Sequence, residues 1–182
     1  MGKNNFMLLQ RISASTVRLL MAIVALGGLF VSAYLLYVYV NGGPIRCVVI
    51  DGCDVVRASS YAWVFGLPRP LLGVIFYFLV FDLLVVRATI RGSARSLWRL
   101  TQFFVLAGLL ESIHLFLIQW QVLQAFCSWC LLSGLATVLL AVLAPFDQPT
   151  DSERASLELK NYFIFLLIFL PVAVLGFYRL VF

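Results

Sequence analysis

Long apolar runs fill most of the chain and are separated by short polar segments. Apolar runs of roughly 17 to 25 residues are long enough to cross the hydrocarbon core of a bilayer as helices. Because that core cannot solvate bare backbone groups, each such segment must be helical. The pattern predicts five spans, at about Val17–Val40, Pro70–Val86, Leu100–Trp120, Ala125–Ala144 and Tyr162–Val181.

These spans predict an all-α fold: a polytopic membrane protein with a four-helix bundle core plus a fifth transmembrane helix. We expect the core at about residues 17–144 and a linker with the fifth helix at 145–182, within a single integral membrane domain. The composition agrees, since 63% of the 182 residues are hydrophobic and 12% are charged. The first run is too long for a secretory signal and lacks an A-x-A-like cleavage site, so we expect an uncleaved anchor.

The basic residues predict the orientation in the membrane. Cytoplasmic loops carry an excess of Lys and Arg. With the N-terminus inside, nine of the thirteen basic residues are cytoplasmic: Lys3, Arg11, Arg18, Arg87, Arg91, Arg95, Arg99, Arg154 and Lys160. Outside are Arg46, Arg57, Arg69 and Arg179. We therefore expect an inside N-terminus and an outside C-terminus, and we interpret the arginine-rich loop as a topology signal that contacts lipid headgroups rather than nucleic acid.

Four cysteines fall at one predicted membrane surface. Cys47 and Cys53 lie in the loop after the first run, and Cys127 and Cys130 begin the fourth. The predicted orientation puts all four outside, which implies an oxidising compartment. Cys127 and Cys130 share one helix face. At a first helical turn, free N–H groups and the helix dipole stabilise a thiolate, so the C-x-x-C spacing predicts a redox-active pair.

Two cysteine pairs at one surface can pass a disulfide between them by thiol–disulfide exchange. Within a bilayer, a lipid quinone is the chemically plausible acceptor of the two electrons. Two alternatives stay open: static disulfides that staple the loop to the fourth helix, and a four-thiolate zinc site. The wide C-x5-C spacing disfavours zinc, and we expect no metal.

Several motifs in order resemble a known family. The sequence has Cys47 and Cys53, then "CDVVRASSYAWVFGLP", then "GVIFYF" early in the second run, then "FCSWC". This order resembles the bacterial homologues of the vitamin K epoxide reductase family over about residues 17–144. The rival DsbB-type family has its C-x-x-C in the first external loop and its wider pair in the second, which is the opposite order.

The resemblance implies a role for each cysteine. Cys127 and Cys130 would be the pair that a quinone reoxidises, with Cys130 deeper and facing the quinone. Cys53 would exchange with Cys127, and Cys47 would meet the substrate protein. Gly134 stands where vertebrate members have a tyrosine, which argues against vitamin K epoxide chemistry.

The resemblance also implies a cofactor, a partner and a location. The cofactor would be ubiquinone or menaquinone, in the inner membrane of a bacterial cell. Many bacterial homologues continue into a thioredoxin-like domain, whereas this chain ends at Phe182. We therefore expect a separate thioredoxin-fold partner of the DsbA type on the outer side. The rival function is an accessory subunit of a larger membrane complex that uses its cysteines as static disulfides.

Four residues are predicted to contact the quinone. Ser59 matches the family's loop serine, with Ser60 as the less favoured register and a helix cap as the alternative role. Phe65, Phe76 and Trp129 are candidates for an aromatic wall, Phe76 from the "GVIFYF" match and Trp129 from its place beside Cys130. Interfacial aromatic belts and ordinary packing are the alternative for these rings.

Glu111 and His114 are ionisable residues inside the third predicted span, at helical spacing i,i+3. Such groups suggest function, and quinone reduction consumes two protons. A structural hydrogen-bonded pair is the alternative, and the sequence leaves the two roles open.

Overall fold

The computed structural model describes residues 14–43, 45–47, 52–89 and 94–147. Within these ranges, four helices are long and apolar enough to cross a membrane: Ser15–Asn41, Arg69–Ala88, Ser96–Leu123 and Ser128–Phe146. The all-α prediction and the first four spans are confirmed. The fifth predicted span lies outside the described residues.

The elements follow one another in a simple order, with the helical spans joined by short connections. The helices are α1 (Ala14–Asn41), α2 (Cys53–Ala58), α3 (Arg69–Thr89), α4 (Ala94–Leu117) and α5 (Ser128–Leu143). Ser60–Ala62 and Ala144–Phe146 form 3-10 turns, Ile118–Leu123 forms a π-helical turn, and β1 (Trp63–Val64) pairs antiparallel with β2 (Leu67–Pro68).

Left-handed residues end helices and turn the chain at the cysteine end of the bundle. Gly42 has φ +69° and its N–H donates to the Val38 carbonyl at 3.1 Å, which closes α1. Phe65 and Gly66 both have positive φ, as a two-residue hairpin loop between β1 and β2 requires. Gln124, at φ 48°, stops the π-helical turn before α5 begins.

The bundle core forms where α1, α3 and α5 pack together. Met21, Tyr77, Val80 and Leu140 are buried in one hydrophobic cluster. Gly28 of α1 lies directly against the ring of Tyr77, where any larger side chain would collide with it. Without a hydrophobic effect between helices in lipid, such close contact through small residues is a main source of helix association.

A buried ion cluster ties three segments together at the end of the bundle opposite the cysteines. The guanidinium of Arg87, at the end of α3, pairs with the carboxylate of Asp147, and both side chains are almost completely buried. Arg18 of α1 donates to the same carboxylate at 3.3 Å and to the Arg87 carbonyl at 3.1 Å. Because a buried charge is costly unless it is paired, this cluster fixes the relative positions of α1, α3 and the end of α5.

Candidate active site

The four cysteines meet in one cluster at the other end of the bundle. Cys53 and Cys127 are each only 1% exposed and belong to the same buried cluster, and Cys47 and Cys130 pack against it. The two pairs thus meet at one end of the bundle, and the placement of this end at the outer membrane face stays a prediction. Cys47 and Cys127 are 80 positions apart in the chain, and the fold brings them into one cluster.

The two pairs differ in their covalent state. Cys47 and Cys53 form a disulfide, with their Cα atoms 6.2 Å apart, whereas Cys127 and Cys130 are free thiols. A disulfide removes two of the four thiolates that the zinc alternative requires. In the described ranges, no group of three or more His, Cys, Asp or Glu side chains is arranged to hold a metal ion.

The approach of the two pairs depends on a glycine. A Cβ atom on Gly52 would lie 2.6 Å from the carbonyl oxygen of Phe126 and 2.8 Å from its nitrogen. Real Cβ atoms do not come this close to backbone, so only glycine fits here. Since Gly52 precedes Cys53 and Phe126 precedes Cys127, this backbone contact sets how closely the two buried cysteines approach.

Cys127 occupies the N-cap position of α5. Its sulfur accepts a hydrogen bond from the N–H of Cys130 at 3.3 Å, which satisfies one of the free donors of the first turn. Its own N–H donates to Oε1 of Gln119 at 2.8 Å. Gln119 is buried and lies in the π-helical turn, a local distortion that occurs frequently at functional sites.

This position favours the thiolate form of Cys127. The pKa of its thiol is lowered from the ordinary value, and the largest cause is the side-chain hydrogen bond with Cys130. Burial acts in the opposite direction, while the backbone N–H groups of Cys130 and Trp129 lower the pKa further. A buried thiol with a lowered pKa is a good nucleophile when reduced and a good leaving group when oxidised.

The loop that carries Cys47 is held by contacts on both sides. The indole N–H of Trp129 donates to the Arg46 carbonyl at 2.9 Å, and its ring packs on Tyr34 with centroids 4.8 Å apart. The Ile45 N–H donates to Oδ1 of Asp54 at 3.5 Å. Trp129, which lies between Cys127 and Cys130 in the sequence, therefore positions Arg46, the residue before Cys47.

A cavity of about 320 Å³ lies beneath the loop helix and between the spanning helices. Its wall is mostly apolar and includes Leu35 and Tyr39 of α1, Phe116 of α4, and Cys130 of α5. Cys127 is not among the described residues of the wall. Of the two free thiols, Cys130 is therefore the one that faces this space.

The four predicted quinone contacts lie elsewhere in the structure, since none of them is among the described residues that line this cavity. The Ser59 hydroxyl donates to the Val56 carbonyl at 2.7 Å and so caps the end of α2, as the alternative interpretation expected. Phe65 is fully exposed at the tip of the hairpin, and Phe76 packs against Gly108. Quinone contact by Ser59, Phe65, Phe76 and Trp129 stays a prediction.

Sequence patterns did not identify the polar residues that do line the cavity, among them Arg69, Ser112, Gln119 and Ser133. They come from four different elements, namely α3, α4, the π-helical turn and α5, and no motif links them. Ser133 and Gln119 are already engaged within the protein, Ser133 with the Tyr77 hydroxyl and Gln119 with Cys127. The apolar pattern of the sequence does not predict the π-helical turn that places Gln119 at the cavity.

Glu111 and His114 form the hydrogen-bonded pair that their spacing suggested, with His114 Nδ1 3.4 Å from Oε2 of the carboxylate. The other carboxylate oxygen of Glu111 forms an ion pair with Arg69, the first residue of α3. The pair is thus part of a three-residue cluster that links α4 to the start of α3.

Comparison with known proteins gives a family match. The model of the vitamin K epoxide reductase family matches residues 19–144, more than two thirds of the chain. The matched region contains all four cysteines and the four spanning helices, apart from their outermost residues.

Replacing Gly52 tests the contact that brings the two pairs together. We expect Gly52→Ala to slow the oxidation of a protein dithiol by roughly tenfold or more, because a displacement of about 1 Å misaligns the exchanging sulfurs. The rate is measured with purified protein and excess quinone. Gly43→Ala is the matched control, because a Cβ there meets nothing within 4 Å and the rate should stay unchanged. Equal rates for both variants would contradict the role of this contact.

The lowered pKa of Cys127 predicts a pH dependence. In a Cys47→Ala/Cys53→Ala background, the ultraviolet absorbance of the thiolate should rise at a pH below the ordinary thiol pKa of about 8.5. Adding Cys130→Ala removes the largest cause of the shift, so the titration of Cys127 should move to higher pH and the thiolate fraction at neutral pH should fall. If the titration midpoint of Cys127 is unchanged by Cys130→Ala, the hydrogen bond with Cys130 does not stabilise the thiolate.

Proposed function

The chain belongs to the vitamin K epoxide reductase family, and on that premise we propose that it is a membrane thiol–disulfide oxidoreductase that supports disulfide formation. It takes two electrons from a secreted thioredoxin-fold protein of the DsbA type and passes them through its two cysteine pairs to ubiquinone or menaquinone. The observation that supports this most is the packing of the Cys47–Cys53 disulfide and the free Cys127/Cys130 pair in one buried cluster.

The first exchange takes place at Cys47. This residue is half-buried whereas Cys53 is almost fully buried, so an incoming protein thiolate reaches Cys47 first. Attack on the sulfur of Cys47 forms a mixed disulfide and releases Cys53 as a thiolate. The second thiol of the partner then displaces Cys47, so that the partner leaves with a disulfide and the Cys47/Cys53 pair has gained two electrons.

The second exchange moves these electrons inward. The Cys53 thiolate attacks Cys127 when Cys127 and Cys130 are joined as a disulfide, and Cys130 leaves as a thiolate. Cys47 then attacks Cys53 in the mixed disulfide, which restores the Cys47–Cys53 disulfide and leaves Cys127 and Cys130 as thiols. This end point is the arrangement of disulfide and thiols in the structure.

The cavity beside Cys130 fits a quinone headgroup by its chemistry. Its wall is largely apolar, it holds a few polar side chains that include a cation, and Cys130 is part of it. When bound, a quinone supplies the acceptor for two electrons and two protons. Cys130 faces the cavity and Cys127 faces Cys53 in the buried cluster, so the pair has one side toward each exchange partner.

The orientation follows from the distribution of basic residues, with the cysteine end on the outer face of a bacterial inner membrane and the N-terminus in the cytoplasm. This side is where a secreted partner would be present and where disulfides persist. Arg87 at the end of α3 and Arg99 near the start of α4, both part of the arginine-rich segment, lie at the opposite end of the bundle.

Reconstitution of the whole reaction tests this function. In right-side-out vesicles that contain the protein and a quinone, reduced thioredoxin-fold protein added outside should drive quinone reduction, followed by absorbance. Cys130→Ser should abolish it while leaving the thermal unfolding temperature close to that of wild type, because the thiol that faces the cavity is lost. Near wild-type turnover by this variant would move the electron exit elsewhere, and activity only with donor inside the vesicle would reverse the orientation. Cysteines that stay oxidised throughout would favour the accessory-subunit alternative.

A further inference from the structure

We propose that Arg69 binds a carbonyl oxygen of the quinone, and that Glu111 acts as a positioning residue that directs the Arg69 guanidinium toward the cavity. This inference rests on the proposed function, since it names the residue that holds the proposed acceptor.

A cation and a free thiol share one largely apolar cavity. Arg69 lines it from the start of α3, and Cys130 lines it from α5. Among the described residues of the wall, Arg69 is the one charged side chain. Only 16% of this side chain is exposed. Burying a cation beside apolar walls is costly, and such residues within membrane proteins commonly mark ligand sites.

The guanidinium of Arg69 has hydrogen-bond donors to spare. It carries five N–H donors and no acceptor. One of its terminal nitrogens pairs with Glu111, while the Nε atom is buried and has no hydrogen-bond partner among the described residues. A buried donor without an acceptor costs about 1–3 kcal/mol, so a ligand oxygen at this place would be favoured.

A quinone headgroup can accept hydrogen bonds from the free N–H donors of Arg69. Its two carbonyl oxygens accept hydrogen bonds and its oxidised ring offers no donor, so it requires donors from the protein. Two other polar side chains of the wall are already engaged within the protein: the Ser133 hydroxyl lies 3.0 Å from the Tyr77 hydroxyl, and the Gln119 side chain bonds backbone at both of its ends. A charged donor also makes a stronger hydrogen bond than a neutral one.

Glu111 holds one terminal nitrogen of the guanidinium. Its carboxylate lies between Arg69 and His114, and Glu111 and His114 are both about half exposed on the outer surface of α4. This cluster occupies one terminal nitrogen of Arg69 and leaves its Nε–H available to another acceptor. A pair that served only to join α3 to α4 would have no need to place the arginine at the cavity wall.

Direct binding of a short-chain ubiquinone tests the proposal without relying on turnover. Binding is followed by quenching of tryptophan fluorescence in the purified, detergent-solubilised protein. We expect Arg69→Ala to weaken the affinity by roughly 10-fold to 100-fold, the loss typical of a hydrogen bond to a charged group. Glu111→Gln, which keeps an oxygen to accept from Arg69, should weaken it only about threefold or less. Arg99→Ala is the control: this exposed residue lies at the other end of α4 and should leave the affinity unchanged.

Arg69→Lys keeps the test open if the alanine variant does not fold. Lysine retains the positive charge opposite Glu111 but loses the planar fork, so a folded Arg69→Lys protein should still bind the quinone at least about threefold more weakly than wild type. Thermal unfolding of each variant is measured alongside binding.

Three outcomes separate this proposal from the proposed function. Wild-type affinity in folded Arg69 variants would overturn the anchoring role alone. Equal losses of affinity and unfolding temperature in Arg69→Ala and Glu111→Gln would show a merely structural pair and would likewise overturn it. If wild type binds the quinone through Arg69 but reduced partner never drives its reduction, the anchoring role stands and the proposed function fails.

Discussion

The backbone contact between Gly52 and Phe126 is the constraint on which the arrangement of the site depends. It allows the loop after α1 to lie directly on the chain that enters α5, with no side chain between them. Each partner is followed at once by a buried cysteine, so this single close approach places Cys53 beside the N-terminus that carries Cys127. The hydrogen bond from Trp129 to the Arg46 carbonyl then holds the backbone next to Cys47 against α5.

The start of α5 gives its two thiols different surroundings, and in the proposed relay this difference sets the direction of electron flow. Cys127 caps the helix, is stabilised as a thiolate and belongs to the buried cluster of Cys53. Cys130, one turn further, faces the cavity that contains Arg69. At the opposite end of the bundle, the buried pairs that Asp147 forms with Arg18 and Arg87 keep the helices in register. These ion pairs help to hold the helices that position the two cysteine pairs for the proposed exchange.

The sequence was sufficient for the spanning helices and for the meeting of the cysteines, because both depend on strong local signals. Apolar runs must be helices in a bilayer, and Cys127 and Cys130 are placed on one turn by their spacing alone. The cavity wall depends instead on tertiary packing. Arg69 and Glu111 are in contact although they are 42 positions apart in the chain, and no periodicity or motif predicts that contact. The sequence pattern does not predict the hairpin either, because its strands have only two residues each. The motif that suggests a quinone contact for Phe76 likewise gives no information on its packing against Gly108, which depends on tertiary structure.

In the proposed relay, Cys53 and Cys127 exchange a disulfide and Cys47 resolves the bond between them. Peptide mapping of a Cys47→Ser variant under non-reducing conditions tests this most directly, because removing the resolving thiol should leave the relay at its mixed disulfide. The account predicts that a Cys53–Cys127 crosslink accumulates, with Cys130 free. Recovery of only a Cys127–Cys130 disulfide, with Cys53 as a free thiol, would contradict it.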